Sequence, residues 1–169
     1  MKLHIGGWEA KKGWKILNIQ KRDVVDFIGD ISDLSQFDDN SIEEIYASHV
    51  FEHIEKTKIK LTLEGIYRVL KKSGKFYIAV PDMDALFKYF LEENITIKTR
   101  IHILSMIFGG QQDNDDFHYF GYNFELLNFF LKLSGFINIK KVESFNLFDD
   151  TSEVKPYGFQ ISLIIISEK

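Results

Sequence analysis

The two β-prone segments that close the chain, residues 137–145 and 159–167, follow one another with no helical segment between them. What precedes them is different. Short apolar runs at 3–5, 14–19, 24–28, 42–48 and 75–80 read as strands, and the later ones are separated by stretches with helical spacing. Ile59, Leu63, Ile66, Tyr67 and Leu70 share one helical face, and Ser73-Gly74 is the expected stop before the fifth strand. Asp82 stands where an N-cap belongs, ahead of Met83, Leu86, Phe87, Phe90 and Leu91 at i, i+3, i+4, i+7, i+8 spacing. A further helix is predicted from Thr96, with Ile97, Ile101, Leu104 and Phe108 on one face and Gly109-Gly110 as its end. This apolar stripe, from Met83 to Phe108, reads as core or lid, and leaves room for a homodimer face. One more helix, 123–134, ends at Gly135. Alternation of this kind predicts an α/β fold with a mainly parallel sheet. The last two strands are then expected to form an antiparallel pair at the sheet edge. The link from Gly6 to Gly13 is an exception, because a parallel crossover normally needs about a dozen residues, usually with a helix. The first crossover helix is therefore expected to be missing.

Composition narrows the function classes. A chain of 169 residues fits a single domain, 1–169, within which 82–125 is read as a helical and loop insertion forming a lid or acceptor side. The formal net charge is -4 and the Lys and Arg residues are scattered, which argues against a nucleic-acid partner. No cysteine is present, so disulfides, thiolate metal sites and cysteine nucleophiles are excluded. The longest apolar run, 161–166, is too short to cross a bilayer, and no secretory signal is visible. A cytoplasmic protein with no membrane partner is the expectation.

Read in order, LHIGG, GWKILNI, VVDFIGDISDL, IEEIYASHVFEHI, IYRVLKKSGKFYIAVPD and SGFINIKKVESF resemble the successive motifs of a class I S-adenosylmethionine-dependent methyltransferase. More narrowly, FGGQQDNDDFHYFGYNFELL and DDTSEVKPYG resemble a compact bacterial methyltransferase group of the type 11 kind. The resemblance implies a Rossmann-like sheet, S-adenosyl-L-methionine as cofactor and a small-molecule acceptor. It also places the cofactor along the carboxyl ends of the strands, where open α/β sheets bind ligands. Gly6 and Gly7 end the first strand and, lacking Cβ atoms, allow close backbone approach. Asp30 and Ile31 suit adenine, with a carboxylate for the amine and an apolar flank for the ring. Ser48 and His49 would lie beneath the cofactor. Asn18 stands where the family carries a ribose-binding carboxylate, so charge assistance is lost there.

Methyl transfer needs donor and acceptor aligned, and an oxygen or nitrogen acceptor also needs a base within reach. His118, His49 and Asp82 are the candidate catalytic groups, with His118 preferred. His53, Tyr119, Asp150, Thr151 and Ser152 are the candidate acceptor contacts. His49-Val50-Phe51-Glu52-His53 fits the H-x-x-E-H pattern of a zinc peptidase group. That chemistry requires both histidines on one helix face, whereas His49 directly follows a predicted strand, so no metal is expected. The function expected is methyl transfer to a small, hydroxyl-bearing acceptor, such as a sugar of surface-glycan synthesis. The alternative is a catalytically idle methyltransferase-like binding or scaffold domain.

Overall fold

The computed structural model describes residues 1–169. Its strands are β1 (Lys2–Ile5), β2 (Trp14–Asn18), β3 (Phe27–Ile28), β4 (Ile42–Ser48), β5 (Leu70–Pro81), β6 (Ile137–Lys141) and β7 (Ser162–Glu168). Its helices are α1 (Ile59–Val69), α2 (Met83–Phe90), α3 (Ile97–Phe108) and α4 (Phe124–Leu133). One seven-stranded sheet runs in the order β3-β2-β1-β4-β5-β7-β6. The pairings from β3 across to β5 are parallel, and β7 is antiparallel to both its neighbours. The expected antiparallel pair therefore forms, but β7 lies inside the sheet and β6 takes the edge. Composition explains the order. Leu163, Ile164 and Ile165 of β7 are buried on successive faces, whereas β6 reads Ile-Asn-Ile-Lys-Lys and is largely exposed.

No helix joins β1 to β2, as expected, and the next two crossovers are also made of turns. The two sheet faces are consequently unlike. On one, α1 and α4 pack over Leu3, Ile5, Leu17, Ile45, Phe76, Ile78 and Leu163 to form the main core. On the other, Trp14, Tyr46, Tyr77 and Ile164 are covered by Phe145 and Phe148 from the loop that follows β6. That loop is pinned where the Tyr46 hydroxyl donates to Asp150 Oδ2 at 2.6 Å. His4 is buried beside it, its ring 4.1 Å from that of Phe148 and 4.9 Å from that of Tyr46.

Three boundaries depart from the sequence reading. Ser73-Gly74 does not stop a helix. α1 ends at Val69, Leu70 turns to extended backbone and pairs with Ile42, and Ser73 adopts φ 62° within a register shift of β5. The third strand is reduced to two residues, and the sixth stops at Lys141 because the chain then leaves to cover the second face. In α3, Ile103 and Ile107 bury against Met83 and Leu86 of α2. The stripe of Ile97, Ile101, Leu104 and Phe108 is exposed instead, at 72% and 58% for the first two, so the core reading of that stripe is corrected.

Candidate functional site

The carboxyl ends of β1, β2 and β4 open onto a cleft of about 520 Å³. Gly6 forms its floor at φ 76°, with its N–H donating to the Leu17 carbonyl at 2.8 Å. A Cβ here would stand 2.5 Å from Val50 Cγ2, so the turn and the close approach both require glycine. Asn18, Asp30, Ile31 and His49 also line the cleft, as the sequence predicted, but Gly7 and Ser48 do not. Gly7 is needed for another reason, since a Cβ would meet the His4 ring at 2.5 Å. The Ser48 hydroxyl is buried without a partner.

Asn18 is placed as expected and used differently. Its Nδ2 donates to the Gly7 carbonyl at 3.2 Å, and its Oδ1 accepts from the Gln20 N–H at 3.0 Å. Both ends of the amide are engaged in clamping the β1 turn to the end of β2. Asp30 uses Oδ1 to hold the Ser32 N–H at 2.7 Å. Also lining the cleft are Trp8, Gln20, Glu55, Lys58 and the three aspartates Asp113, Asp115 and Asp116, none of which the expected site included. Trp8 was within reach, since it follows the Gly6-Gly7 turn directly, and Arg22 now stacks over its ring at 3.7 Å. The aspartates arrive from the loop after α3, for which no local pattern signals a return to this end of the sheet.

A second cavity of about 380 Å³ adjoins the first, and His49, His53 and Asp116 border both. Its walls add Glu52, His102, His118, Thr151 and residues of α2 and α3. His49 turns the chain at the end of β4 with φ 52°, an uncommon conformation for a residue with a side chain. His49 Nδ1 meets Glu52 Oε1 at 3.1 Å and Nε2 meets Ser162 Oγ at 2.9 Å, so both ring nitrogens are occupied. Burial opposes charge on both residues, yet each supports the other. His49 is raised above the usual histidine value and Glu52 is held below the usual carboxylate value. His118 Nε2 lies 4.0 Å from Glu52 Oε1, and burial lowers its pKa against the pull of that carboxylate.

The remaining candidates separate. His53 and Thr151 line the second cavity. Asp82 lies outside both, because its Oδ1 caps α2 at the Asp84 N–H (3.2 Å) and its Oδ2 pairs with Lys141 at 3.0 Å. Tyr119 has an exposed ring, and only its backbone N–H reaches inward, to the Glu52 carbonyl at 2.8 Å. Asp150 is spent on Tyr46 and on the Ser152 N–H, and Ser152 is buried beneath the loop. His102, which sequence reasoning passed over, borders the second cavity and bonds Tyr157 at 2.5 Å.

A family profile described as a methyltransferase domain matches residues 11–78. No curated protein sequence matches the chain. Among solved structures, a SAM-dependent methyltransferase from Archaeoglobus fulgidus is similar over 99% of this chain and 85% of that one, with TM-score 0.61 and 18% identity. A SAM-dependent methyltransferase of Thermotoga maritima, described as a possible histamine N-methyltransferase, is similar over 99% and 81%, with TM-score 0.61 and 16% identity. The methyltransferase complexed with the Haloferax volcanii Trm112 activator is similar over 98% and 80%, with TM-score 0.57 and 15% identity. At these identities the likeness is one of fold.

Proposed function

From a chain that folds as a class I S-adenosylmethionine-dependent methyltransferase, we infer that the larger cleft holds the methyl donor and the smaller cavity holds a small, hydroxyl-bearing acceptor. The observation that carries this reading is the adjacency of the two cavities, which share His49 and His53 as a common wall. Donor and acceptor bound where the two spaces meet along these residues would be brought close enough for in-line displacement.

The lining suits the donor. Gly6 presents bare backbone at the cleft, Ile31 and Leu17 offer an apolar flank, and Asp30 has one carboxylate oxygen not used by its own turn. When bound, S-adenosylmethionine supplies a methyl group activated by its sulfonium sulfur. Asp30 would accept from an exocyclic amine, and Gln20 or the Asp113 to Asp116 loop would face hydroxyls, with the Asn18 amide already held by the Gly7 carbonyl and the Gln20 N–H. On the acceptor side, His118 and Thr151 would hydrogen-bond a hydroxyl, and Leu86 and Met106 would exclude water. The helices and loop of 82–125 thus supply the acceptor side. The hydroxyl-bearing acceptor of this reading is a sugar of surface-glycan synthesis, with His118 and Thr151 as its polar contacts in the cavity.

Titration calorimetry with S-adenosylhomocysteine, and NAD as control, tests the donor site. Selective micromolar binding is expected, weakened by about 1.5–3 kcal/mol in Asp30→Ala if the carboxylate makes a charge-assisted bond. A folded sample that binds neither compound would favour an idle, scaffold-type domain, the reading to which the fully engaged Asn18 amide lends its weight.

A further inference from the structure

Four of the five histidines in the chain, His49, His53, His102 and His118, border the acceptor cavity. Glu52 lies at its base, 1% exposed, and its Oε2 is buried with no hydrogen-bond partner. A half-satisfied buried carboxylate is costly unless something positive completes it. Glu52, His53 and His118 each present a ligand atom, and these atoms all lie within 4.8 Å of one another.

The surroundings prepare those atoms. His53 Nδ1 bonds the Phe117 carbonyl at 3.0 Å, which places the ring proton on Nδ1 and leaves the Nε2 lone pair free. Metal-binding histidines are typically oriented in this way, through the nitrogen that does not bind the ion. His49 in turn hydrogen-bonds Glu52, as a supporting residue would. The His53 and His118 rings cross at 84° with centroids 4.7 Å apart. His118 Nδ1 has no hydrogen-bond partner to hold the ring in place.

We propose that Glu52, His53 and His118 bind one divalent transition-metal ion, with zinc the best match, in the wall of the smaller cavity. Two imidazoles and one carboxylate are a donor set that zinc and related ions favour over magnesium or calcium, which prefer oxygen alone. Three protein ligands leave a further position open, the arrangement of sites that also bind a substrate atom. Tetrahedral zinc ligands stand about 3.4 Å apart, so the ligand atoms would close in by up to about 1.4 Å. The peptidase-like reading of the H-x-x-E-H sequence does not return with this site. His49 has both nitrogens engaged, and the third ligand comes from the loop after α3. The open position faces the acceptor cavity. That last step rests on the methyl-transfer reading, and with the ion bound an acceptor oxygen is held through the metal rather than directly on the His118 imidazole.

The test uses tag-free protein, stripped with a chelator and titrated with zinc chloride by calorimetry, with elemental analysis of the dialysed product. One zinc per chain is expected. His53→Gln and His118→Asn should each weaken binding by about 100-fold or more, while His4→Gln, on the other sheet face, leaves it unchanged. Circular dichroism checks that each variant is folded. If either is not, the cobalt-substituted wild-type protein decides, since a four-coordinate site gives intense visible bands and a hydrated surface ion only faint ones. Absence of zinc binding, binding indifferent to both substitutions, or a faint cobalt spectrum would overturn the proposal. Zinc titration needs no methyl donor and the S-adenosylhomocysteine titration needs no metal, so either reading can fail alone.

Discussion

His4 shows how a single side chain records the fold. It sits beneath Phe148, against Tyr46, and burial brings its pKa down to about 4, with only the Asp150 charge opposing. The unfolded chain titrates this residue near the ordinary histidine value of 6.5. Between those two values the unfolded state binds a proton that the folded state refuses, so stability falls as pH is lowered through that window. Its contribution is complete above the unfolded value and gone below the folded one. From pH 7 to pH 5 the loss attributable to His4 is about 1–2 kcal/mol. Urea unfolding of the wild type and His4→Gln at the two pH values isolates it, and equal pH dependence in both proteins would refute the assignment. The site residues divide by the same criterion of what surrounds them. Gly6, Asp30 and His49 were legible because a turn at a strand end is written locally. That Asn18 clamps the chain and Asp82 pairs with Lys141 was not, because each depends on a partner brought by the fold.

At the level of elements, Asp82 caps its helix as the sequence predicted, and Thr96 and Asn123, read as the first residues of their helices, prove to be caps as well, each accepting a hydrogen bond from the first turn. The face a helix buries was harder to read. α3 carries apolar residues on two sides, Ile97, Ile101, Leu104 and Phe108 on one and Ile103 and Ile107 on the other, so periodicity alone cannot choose between them. Contact with α2 makes the choice. Ile103→Ala should therefore cost about 2–4 kcal/mol in chemical denaturation, whereas Ile101→Ala should stay within about 0.5 kcal/mol. A reversed order would mean that the Ile101 stripe packs and the Ile103 face does not. Strand ends obeyed the same limit: β3 and β6 are short because the residues beyond them are taken up by turns and by the covering loop.

Across the whole molecule, the mainly parallel sheet and its antiparallel closing pair followed from alternation and from the two final strands in succession, whereas the placing of β7 inside β6 did not. The loss of three crossover helices was only partly visible, in the short link from Gly6 to Gly13. Its consequence is that one loop replaces a helical layer. Phe148 stands over Trp14 with ring centroids 5.2 Å apart and is itself buried. Phe148→Ala should destabilise the protein by about 3 kcal/mol and shift Trp14 fluorescence to the red as water enters. Unchanged emission and stability would show that the second face needs no cover.

That covering loop continues into Thr151, Val154 and Pro156, which wall the smaller cavity. A single stretch of chain thus seals one face of the sheet and shapes the space where a substrate would sit. Lineages that alter this stretch to admit a new compound must do so without lifting Phe145 and Phe148 from the strands. Diversification of substrate range is therefore tethered to structural integrity. The freer ground for such change lies in the exposed Gln111 to Asp115 part of the loop after α3, ahead of Phe120 and Tyr122, which pack with the main core.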